Sequence, residues 1–179
     1  MQPTEQDWKK MVRVLRFVQA TIDDPSYLGA DNLTRFHTWV NVAFATHIDM
    51  KSHTGGVVSF GWGGFFCMSN KQKLVTKSST EAEFVGASDY LPNTIWVKMF
   101  LECQGLIINE CTFEQDNESA IRLEVNGRAS ATKQSRHIAI RYFWTKDRLL
   151  QHDIQVWYCN STMMLADYLS KPLQGRFFE

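Results

Sequence analysis

Apolar positions recur every three or four residues near the start of the chain and predict a helix over residues 5–22. Asp24-Pro25 and the Gly- and Asn-containing stretch after it end this pattern. The pattern then changes to short apolar, β-rich runs, at residues 36–46, 57–60, 65–68 and 74–76. Short strands joined by tight connections predict an antiparallel meander of three strands.

A long helical pattern follows the meander and runs from Ser79 to Gly105. Ser78 and Glu81 have the spacing of a capping box, and Pro92 predicts a kink or break. The remaining predicted elements are a strand at 111–116, a helix at 118–125, a polar basic loop at 127–135, a helix at 138–151, a strand at 154–159, and a last helix that Ser161 or Thr162 caps and that stops at Lys171-Pro172. A meander followed by parallel crossovers predicts an α/β fold, with a mixed sheet that carries helices on its faces.

The length and composition indicate the size of the domain and the class of protein. The chain has 179 residues, 44% hydrophobic and 21% charged, which allows a sizeable core and fits one domain with an extra segment. No apolar run reaches the roughly 18 residues of a membrane helix, and the first residues lack a secretory signal pattern. The four cysteines lie far apart and are expected to be reduced, buried thiols of an intracellular protein.

Charge is balanced overall but unevenly placed. The formal net charge is zero, which neither demands nor excludes a nucleic-acid partner. Seven basic and two acidic residues lie between Arg122 and Arg148, and Lys71, Lys73 and Lys77 form a second cluster. These segments are either solvated faces or a surface that follows a phosphate backbone.

Three acidic residues are expected where a mixed α/β fold places its chemistry. Asp116 ends a strand at the carboxyl edge of the sheet, Glu83 lies in the first turn of the long helix, and Asp167 lies in the last helix. Each has an ordinary explanation, as an N-cap, a helix-dipole partner or a surface acid. Gly86 and Ala87 would let the Glu83 face approach the sheet closely. Carboxylates brought together there would need a divalent cation, for which Mg²⁺ is the natural choice.

Asn41 is an unusual residue for its position in the first predicted strand. Apolar side chains surround it in sequence, and a buried amide without hydrogen-bond partners costs roughly 1–3 kcal/mol. A specific role for this amide is therefore expected.

Several separated blocks resemble, in order and spacing, the ribonuclease H domain of copia-type retrotransposon polyproteins. The blocks are KSSTEAEFVGASD, QDNESAI, RHIAIRYFWTKDRL and LADYLSKPL, and the resemblance covers about residues 36–175. The leading segment DWKKMVRVLRFVQATID resembles the end of the reverse transcriptase region of the same polyproteins. We therefore expect a helical tail over residues 1–34 and a ribonuclease H-like domain over residues 35–175.

The resemblance implies a five-stranded mixed sheet flanked by helices and hydrolysis of the RNA strand of RNA–DNA hybrids. It implies four acidic ligands and two Mg²⁺ ions, with Mn²⁺ as an alternative. Block by block, the acids carried over are Glu83, Asp116 and Asp167, while Glu81 keeps a capping role. The fourth acid is expected in a V-D-A-like context, where this sequence has V-N-V, so the position is Asn41. We therefore expect metal occupancy to fall sharply and the activity to be weakened or lost, unless Asp49 folds back as a substitute.

The resemblance also suggests substrate contacts. Arg136 and His137 are candidate phosphate ligands in a block that reads H-I-A-I-R-Y, where the family usually has H-I-D-I-R-Y. Asn117 and Lys77, with Thr76 beside it, are further candidates. Asn117 is equally well explained as an N-cap, and His137 as a structural histidine at a helix terminus.

The expected partners are an RNA–DNA hybrid and the reverse transcriptase region of the same polyprotein, with no membrane and an intracellular location, either cytoplasmic or nuclear. Two other functions remain open. One is a non-catalytic, hybrid-binding or structural remnant, and the other is a different nuclease or integrase on the same fold.

Overall fold

The computed structural model describes residues 3–126 and 136–172, with side chains described for 3–126 and 140–172. Its strands are β1 Gly29–Ala30, β2 Arg35–Ala43, β3 His53–Ser59, β4 Gly61–Trp62, β5 Gly64–Lys71, β6 Glu110–Gln115 and β7 Gln155–Tyr158. Its helices are α1 Glu5–Ala20, α2 Ser79–Cys103, α3 Glu118–Asn126, α4 Arg136–Gln151 and α5 Asp167–Ser170, with a 3-10 turn at Ser161–Met163.

Five strands form one mixed sheet in the order β5-β3-β2-β6-β7. β2, β3 and β5 pair antiparallel, as the meander prediction required, and β2-β6 and β6-β7 pair parallel. The prediction of an α/β fold with a mixed sheet is confirmed. Because the parallel strands β2 and β6 run in the same direction, their carboxyl ends meet at one edge of the sheet.

Helices cover both faces of this sheet, and two adjacent glycines of β3 show how. A Cβ at Gly56 would lie 2.1 Å from the Tyr90 ring of α2, whereas a Cβ at Gly55 would lie 2.6 Å from the Ala166 carbonyl oxygen before α5. Successive residues of a strand point to opposite faces, so α2 and α5 pack on opposite sides. Both helices approach the backbone of β3 more closely than any side chain would permit.

The long helix α2 packs on the sheet through small residues, as predicted. A Cβ at Gly86 would lie 2.4 Å from Cγ2 of Val42, so only glycine permits this separation between α2 and β2. Tyr90, Leu91 and Ala87 of the same helix belong to the main hydrophobic core, together with Val40 and Phe113 of the sheet.

Several predicted elements need correction. Residues 74–76 are not a strand, because the buried Gln72 side chain donates to Thr54 Oγ1 and to the Ala82 carbonyl, which leads the chain directly into α2. Pro92 does not break α2, which continues to Cys103. The predicted last helix is instead a 3-10 turn, capped by the Asn160 side chain, followed by the short α5.

Two further predictions hold only in part. Ser78 caps α2 and accepts from the Glu81 backbone N–H, but the Glu81 carboxylate accepts from the Lys77 N–H, so the capping box is displaced by one residue. All four cysteines are free, yet only Cys111 and Cys159 are buried. Cys67 and Cys103 are exposed because they lie on the edge strand β5 and at the end of α2.

The first helix is amphipathic and stands apart from the core. Thr4 and Asp7 form a capping box at its N-terminus, and none of its residues is buried. The apolar stripe that predicted this helix is therefore exposed, for example at Trp8, Leu15 and Val18. Within the described residues, no helix is long and apolar enough to span a membrane.

Candidate active site

Asn41 lies in the middle of the sheet, and both N–H groups of its side-chain amide donate hydrogen bonds. The residue is 1% exposed, and its Nδ2 donates to Asp167 Oδ1 at 2.6 Å and to Ser170 Oγ at 2.7 Å. Its antiparallel partner is Gly55, whose missing side chain lets α5 come close enough for these bonds. The buried amide therefore satisfies its donors by tying β2 to α5.

Asp167 is the first residue of α5 and receives two donors on one oxygen. Besides Asn41, the Lys171 ammonium donates to Oδ1 at 2.7 Å, across one helical turn. The side chains of Asp167 and Lys171 are 18% and 39% exposed, so this ion pair is partly shielded from solvent. One carboxylate oxygen is thus held by an amide and an ammonium group together.

Glu83 reaches the same region from α2, in the second helical turn rather than the first. Burial, together with the negative charges of Asp116 and Asp167, raises the pKa of Glu83 to about 8, against the opposing effects of a hydrogen bond from the Val42 backbone and of Lys171. The glutamate is 8% exposed. At neutral pH its side chain therefore holds a proton most of the time in the absence of a cation.

Asp116 directly follows β6 and is half-buried. The parallel register ends with the pair Trp39 and Glu114, and Asn41 and Asp116 each lie two residues beyond that pair. Ser161 Oγ, in the 3-10 turn, donates to Asp116 Oδ2 at 3.1 Å. Four predicted site residues, from β2, α2, the end of β6 and α5, thus lie in one region at the carboxyl edge of the sheet.

The acids of this region interact electrostatically but do not form a ready-made metal site in the described residues. Three carboxylates interact there, and repulsion among them is what a cation would relieve. The amide at position 41 directs its N–H groups, rather than a negative charge, towards Asp167. In the described ranges, no three His, Cys, Asp or Glu side chains already converge to hold a metal ion. A cation would therefore have to compete with Lys171 and Asn41 for Asp167.

The other predicted residues lie around this region. Asn117 Oδ1 accepts from the Ala120 backbone N–H, so the residue serves as the cap of α3. The side chain of Lys77 is exposed, while Thr76 is buried. Arg136 and His137 lie in the first turn of α4, and their side chains fall outside the described residues.

Asp49 does not fold back towards Asn41. It is exposed and pairs with Lys71 at 2.8 Å and with Lys51 at 3.4 Å, and the hydrogen bond from Lys71 lowers the pKa of Asp49. The suggested substitution of Asp49 for the missing acid is therefore wrong in this structure, because its carboxylate is already neutralised by two lysines.

A basic cleft of about 280 Å³ opens where β3 and β5 meet α2. Lys71, Lys73 and Arg141 line it, and Arg141 forms a salt bridge with Asp89 of α2. Arg122, by contrast, pairs with Glu118 on the exposed face of α3. Basic residues of both sequence clusters thus meet at one surface, although the two clusters are far apart in the chain.

The sequence analysis did not identify two charged residues of this region. Lys171 could have been identified from its position four residues after Asp167, which is the spacing of an ion pair along a helix. Glu124 is fully buried in α3. The sequence indicated this burial only through spacing: Glu124 comes four residues after Ala120 and therefore lies on the same, apolar face of the helix.

Comparison with known proteins shows similarity to transposon polyproteins along the whole chain. Over 179 residues the chain is 31% identical to the retrovirus-related Pol polyprotein from transposon TNT 1-94 of Nicotiana tabacum, covering 99% of this chain and 13% of that protein. Identity to the polyprotein from transposon RE2 of Arabidopsis thaliana is 28% over 179 residues, covering 99% and 12%. The chain thus spans about an eighth of the length of these curated relatives. No family model matches it.

Solved structures share the fold at low identity. The N-terminal RNase H domain of rv2228c from Mycobacterium tuberculosis, solved as a fusion with maltose binding protein, matches with a TM-score of 0.55 and 11% identity, covering 76% of this chain and 91% of that one. LC11-RNase H1 in complex with an RNA/DNA hybrid matches with a TM-score of 0.53 and 11% identity, covering 75% and 92%. The resemblance to copia-type Pol polyproteins and the ribonuclease H-like fold are both confirmed.

Proposed function

We propose that this chain acts as a ribonuclease H-type hydrolase on RNA–DNA hybrids, with cleavage of the RNA strand strongly weakened by Asn41. The fold and the whole-chain similarity to Pol polyproteins support the class of activity. The solved relative in complex with an RNA/DNA hybrid supports the class of substrate. The observation that carries the proposal is the electrostatic interaction of Glu83 with Asp116 and with Asp167, which also accepts a hydrogen bond from the buried Asn41 amide.

Divalent metal chemistry is part of this proposal. Glu83, Asp116 and Asp167 would hold a Mg²⁺ or Mn²⁺ ion through hard carboxylate oxygens. A bound ion would supply activation of water and stabilisation of the leaving oxygen in phosphodiester hydrolysis. Asn41 provides no negative charge and is bonded to Asp167, so the site is suited to one ion where the four-acid arrangement would hold two.

The basic cleft is the proposed contact surface for the hybrid. Lys71, Lys73 and Arg141 would follow the phosphate backbone, because clustered cations bind nucleic acid through release of counterions. Lys77, Arg136 and His137 extend this proposal to the surface beside α2 and α4. Asn117 would contribute through its backbone position, since its side chain caps α3.

Residues 1–34 are proposed to be the tail of a reverse transcriptase region, attached to a ribonuclease H-like domain at residues 35–175. The exposed apolar stripe of α1, for example at Trp8 and Leu15, supports this division, because the described part of the domain leaves this stripe uncovered. The reverse transcriptase region of the same polyprotein is the proposed partner.

A cleavage assay on a labelled RNA–DNA hybrid with Mg²⁺ or Mn²⁺ tests the activity. We expect slow cleavage by the natural chain, at least tenfold faster cleavage by the Asn41→Asp variant, and none by Asn41→Asp combined with Asp116→Asn. Duplex DNA of the same sequence serves as the substrate control. Absence of RNA cleavage by both the natural chain and Asn41→Asp would refute the hydrolase proposal, and cleavage of the DNA duplex alone would indicate another nuclease.

A non-catalytic hybrid-binding role is the second candidate. It is favoured by the two hydrogen bonds to Asp167, whose Oδ1 accepts from both Lys171 and Asn41. This role predicts salt-dependent hybrid binding without turnover by the natural chain, with turnover appearing only in Asn41→Asp. Failure to bind any hybrid at low salt would argue against both candidates.

A further inference from the structure

One row of residues runs across three neighbouring strands beneath α5. The register pairs Gly55 of β3 with Asn41 of β2 on one side and with Ser69 of β5 on the other. Gly55 has no side chain, so the backbone of α5 lies directly on β3, where a Cβ would be 2.8 Å from the Leu169 carbonyl carbon. The Ser69 hydroxyl donates to the Leu169 carbonyl oxygen at 2.7 Å. Asn41 and Ser69 therefore hold α5 from the two sides of a bare glycine.

The position of α5 depends on these contacts, because the helix has little stability of its own. It consists of four residues, Asp167–Ser170, and no side chain caps its N-terminus. A helix this short does not form in isolation. Asp167 is its first residue, so the hydrogen bonds that hold the backbone of α5 also set where the Asp167 carboxylate lies.

Two histidines fix the direction in which the Ser69 hydroxyl donates. His53 Nε2 lies 2.8 Å from Ser69 Oγ, and His53 Nδ1 lies 3.0 Å from His47 Nε2. Ser69 has a single hydroxyl hydrogen, which it gives to Leu169, so it must accept from an N–H at His53 Nε2. Burial, and then the charge of His47, lower the pKa of His53, which favours its neutral form. The Nδ1 atom of neutral His53 then accepts from His47, and three hydrogen bonds run in one direction, from the loop before β3 to α5.

We propose that Ser69, with its hydrogen directed by the two histidines, is a positioning residue for the Asp167 carboxylate. This inference rests on the proposed function, in which Asp167 is one of the acids of the site. Asn41 donates to the Asp167 carboxylate itself, so this bond competes with a cation. Ser69 donates only to the backbone of α5, so its bond can persist when the carboxylate acquires another partner. The β5 side of the row therefore keeps Asp167 at the carboxyl edge of the sheet, whichever group its oxygens bind.

Nuclear magnetic resonance of the metal-free chain tests this assignment without reference to activity. The readout is hydrogen exchange at the Lys171 backbone N–H, which donates to the Asp167 carbonyl oxygen and so reports on opening of α5. We expect exchange in Ser69→Ala to be about fivefold faster than in the natural chain, which corresponds to a hydrogen bond of about 1 kcal/mol. The side-chain N–H signals of Asn41 should shift as well, because their acceptor moves. Ser69→Thr keeps the hydroxyl and should behave like the natural chain, as should the control Ser119→Ala at an exposed position of α3.

The histidines supply a readout that a merely structural role of Ser69 would not affect. Long-range proton–nitrogen correlation spectra at neutral pH should show His53 with a hydrogen on Nε2 and none on Nδ1, as the direction of the bonds requires. His53→Gln keeps a side-chain N–H for Ser69 and should leave exchange at Lys171 within about twofold of the natural chain, whereas His53→Ala should accelerate it. A hydrogen on His53 Nδ1, or unchanged Lys171 exchange in Ser69→Ala, would show that the inference is wrong. The first of these is measured on the natural chain, so it decides even if a variant does not fold.

Hybrid cleavage separates failure of this inference from failure of the proposed function. In the Asn41→Asp background, Ser69→Ala should lower kcat by about fivefold or more and leave KM unchanged, because a misplaced acid affects the reaction and not the contact with the hybrid. If Asn41→Asp cleaves and Ser69→Ala has no effect on it, the proposed function stands and the inference is wrong. If Asn41→Asp does not cleave, the proposed function fails, and exchange at Lys171 still decides whether Ser69 positions Asp167.

Discussion

The exchange of Asn41 for aspartate is the most informative perturbation of this molecule. In the natural chain, Asn41 Nδ2 donates to Asp167 Oδ1 at 2.6 Å and to Ser170 Oγ at 2.7 Å. An aspartate at this position has no N–H group to donate, so it turns one of these bonds into a contact between two carboxylates. Because position 41 is 1% exposed, water cannot take over the lost partner.

The magnitude follows from two effects. Loss of a hydrogen bond to a charged acceptor costs about 1.5–3 kcal/mol. Two like charges about 4 Å apart repel by about 4 kcal/mol at an effective dielectric constant near 20. Protonation of the introduced carboxyl limits the sum of both effects, because the protonated group again donates to Asp167, and raising an aspartate pKa from about 3.9 to 7 costs about 4 kcal/mol. We expect Asn41→Asp to lower the free energy of unfolding by about 3–5 kcal/mol in EDTA, a large share of the 5–15 kcal/mol of an ordinary domain.

Urea denaturation with and without Mn²⁺ measures this effect. In EDTA the midpoint of Asn41→Asp should fall well below that of the natural chain. Addition of Mn²⁺ at about 100 times its Kd should restore about 2.7 kcal/mol, because the new carboxylate binds the ion only in the folded state. Ser170→Ala is the control, since it removes one partner of the Asn41 amide, costs about 1 kcal/mol and should respond to Mn²⁺ no more than the natural chain does.

Two results would refute this reasoning. Equal stability of Asn41→Asp and the natural chain in EDTA would show that Asp167 does not face position 41. A destabilised variant that Mn²⁺ fails to rescue would show that the acids meet without forming a cation site. The second result would leave the contact between β2 and α5 intact and remove the metal from the proposed function.

Two further predictions concern the pH dependence of stability and the packing of the sheet. The pKa values of Glu83 and Glu124 are both raised in the folded state. The metal-free folded state therefore binds more protons than the unfolded state, and the free energy of unfolding falls as pH rises from about 5 to 8. Glu83→Gln should reduce this slope by one proton, about 1.4 kcal/mol per pH unit, in urea titrations between pH 5 and 8, and an unchanged slope would contradict the assignment. Gly56→Ala places a Cβ 2.1 Å from the buried Tyr90 ring and should cost about 1–3 kcal/mol in the same assay. Combining it with Tyr90→Leu should cost less than the sum of the two single changes, and strict additivity would show that the clash does not exist.

The sequence predicted the sheet and the long helix well because periodicity and side-chain size act locally. The meander followed from short β-rich runs, and the close approach of α2 followed from Gly86, which the contact with Val42 explains. The predicted strand at 74–76 was wrong because a contact between distant residues determines the path of the chain there: the buried Gln72 amide donates to Thr54 and to the Ala82 carbonyl. A local sequence pattern does not predict such a hydrogen bond.

The site shows the same division between local and long-range information. Motif spacing located Glu83, Asp116 and Asp167, but it could not show that Asn41 donates to Asp167, since that bond joins residues 126 positions apart. Spacing also could not show that Glu124 lies near Glu83, because this depends on how α3 packs against α2. The buried acid was visible only as a polar residue on the apolar side of a short helix.

These contacts show how a cluster of acids is kept stable in a protein that has an amide at a position where an acid is expected. Asp167 is neutralised by the Lys171 ammonium and bonded by the Asn41 amide, while burial and like charges favour the protonated forms of Glu83 and Glu124. The ion pair and the hydrogen bond stabilise the metal-free fold, and protonation limits the cost of burying the two glutamates. When a cation binds, the ammonium has to move and the proton of Glu83 has to leave. The same features that let the chain fold without a metal would therefore lower its affinity for one. This links the amide at position 41 to the proposed weak hydrolysis through stability as well as through ligand number.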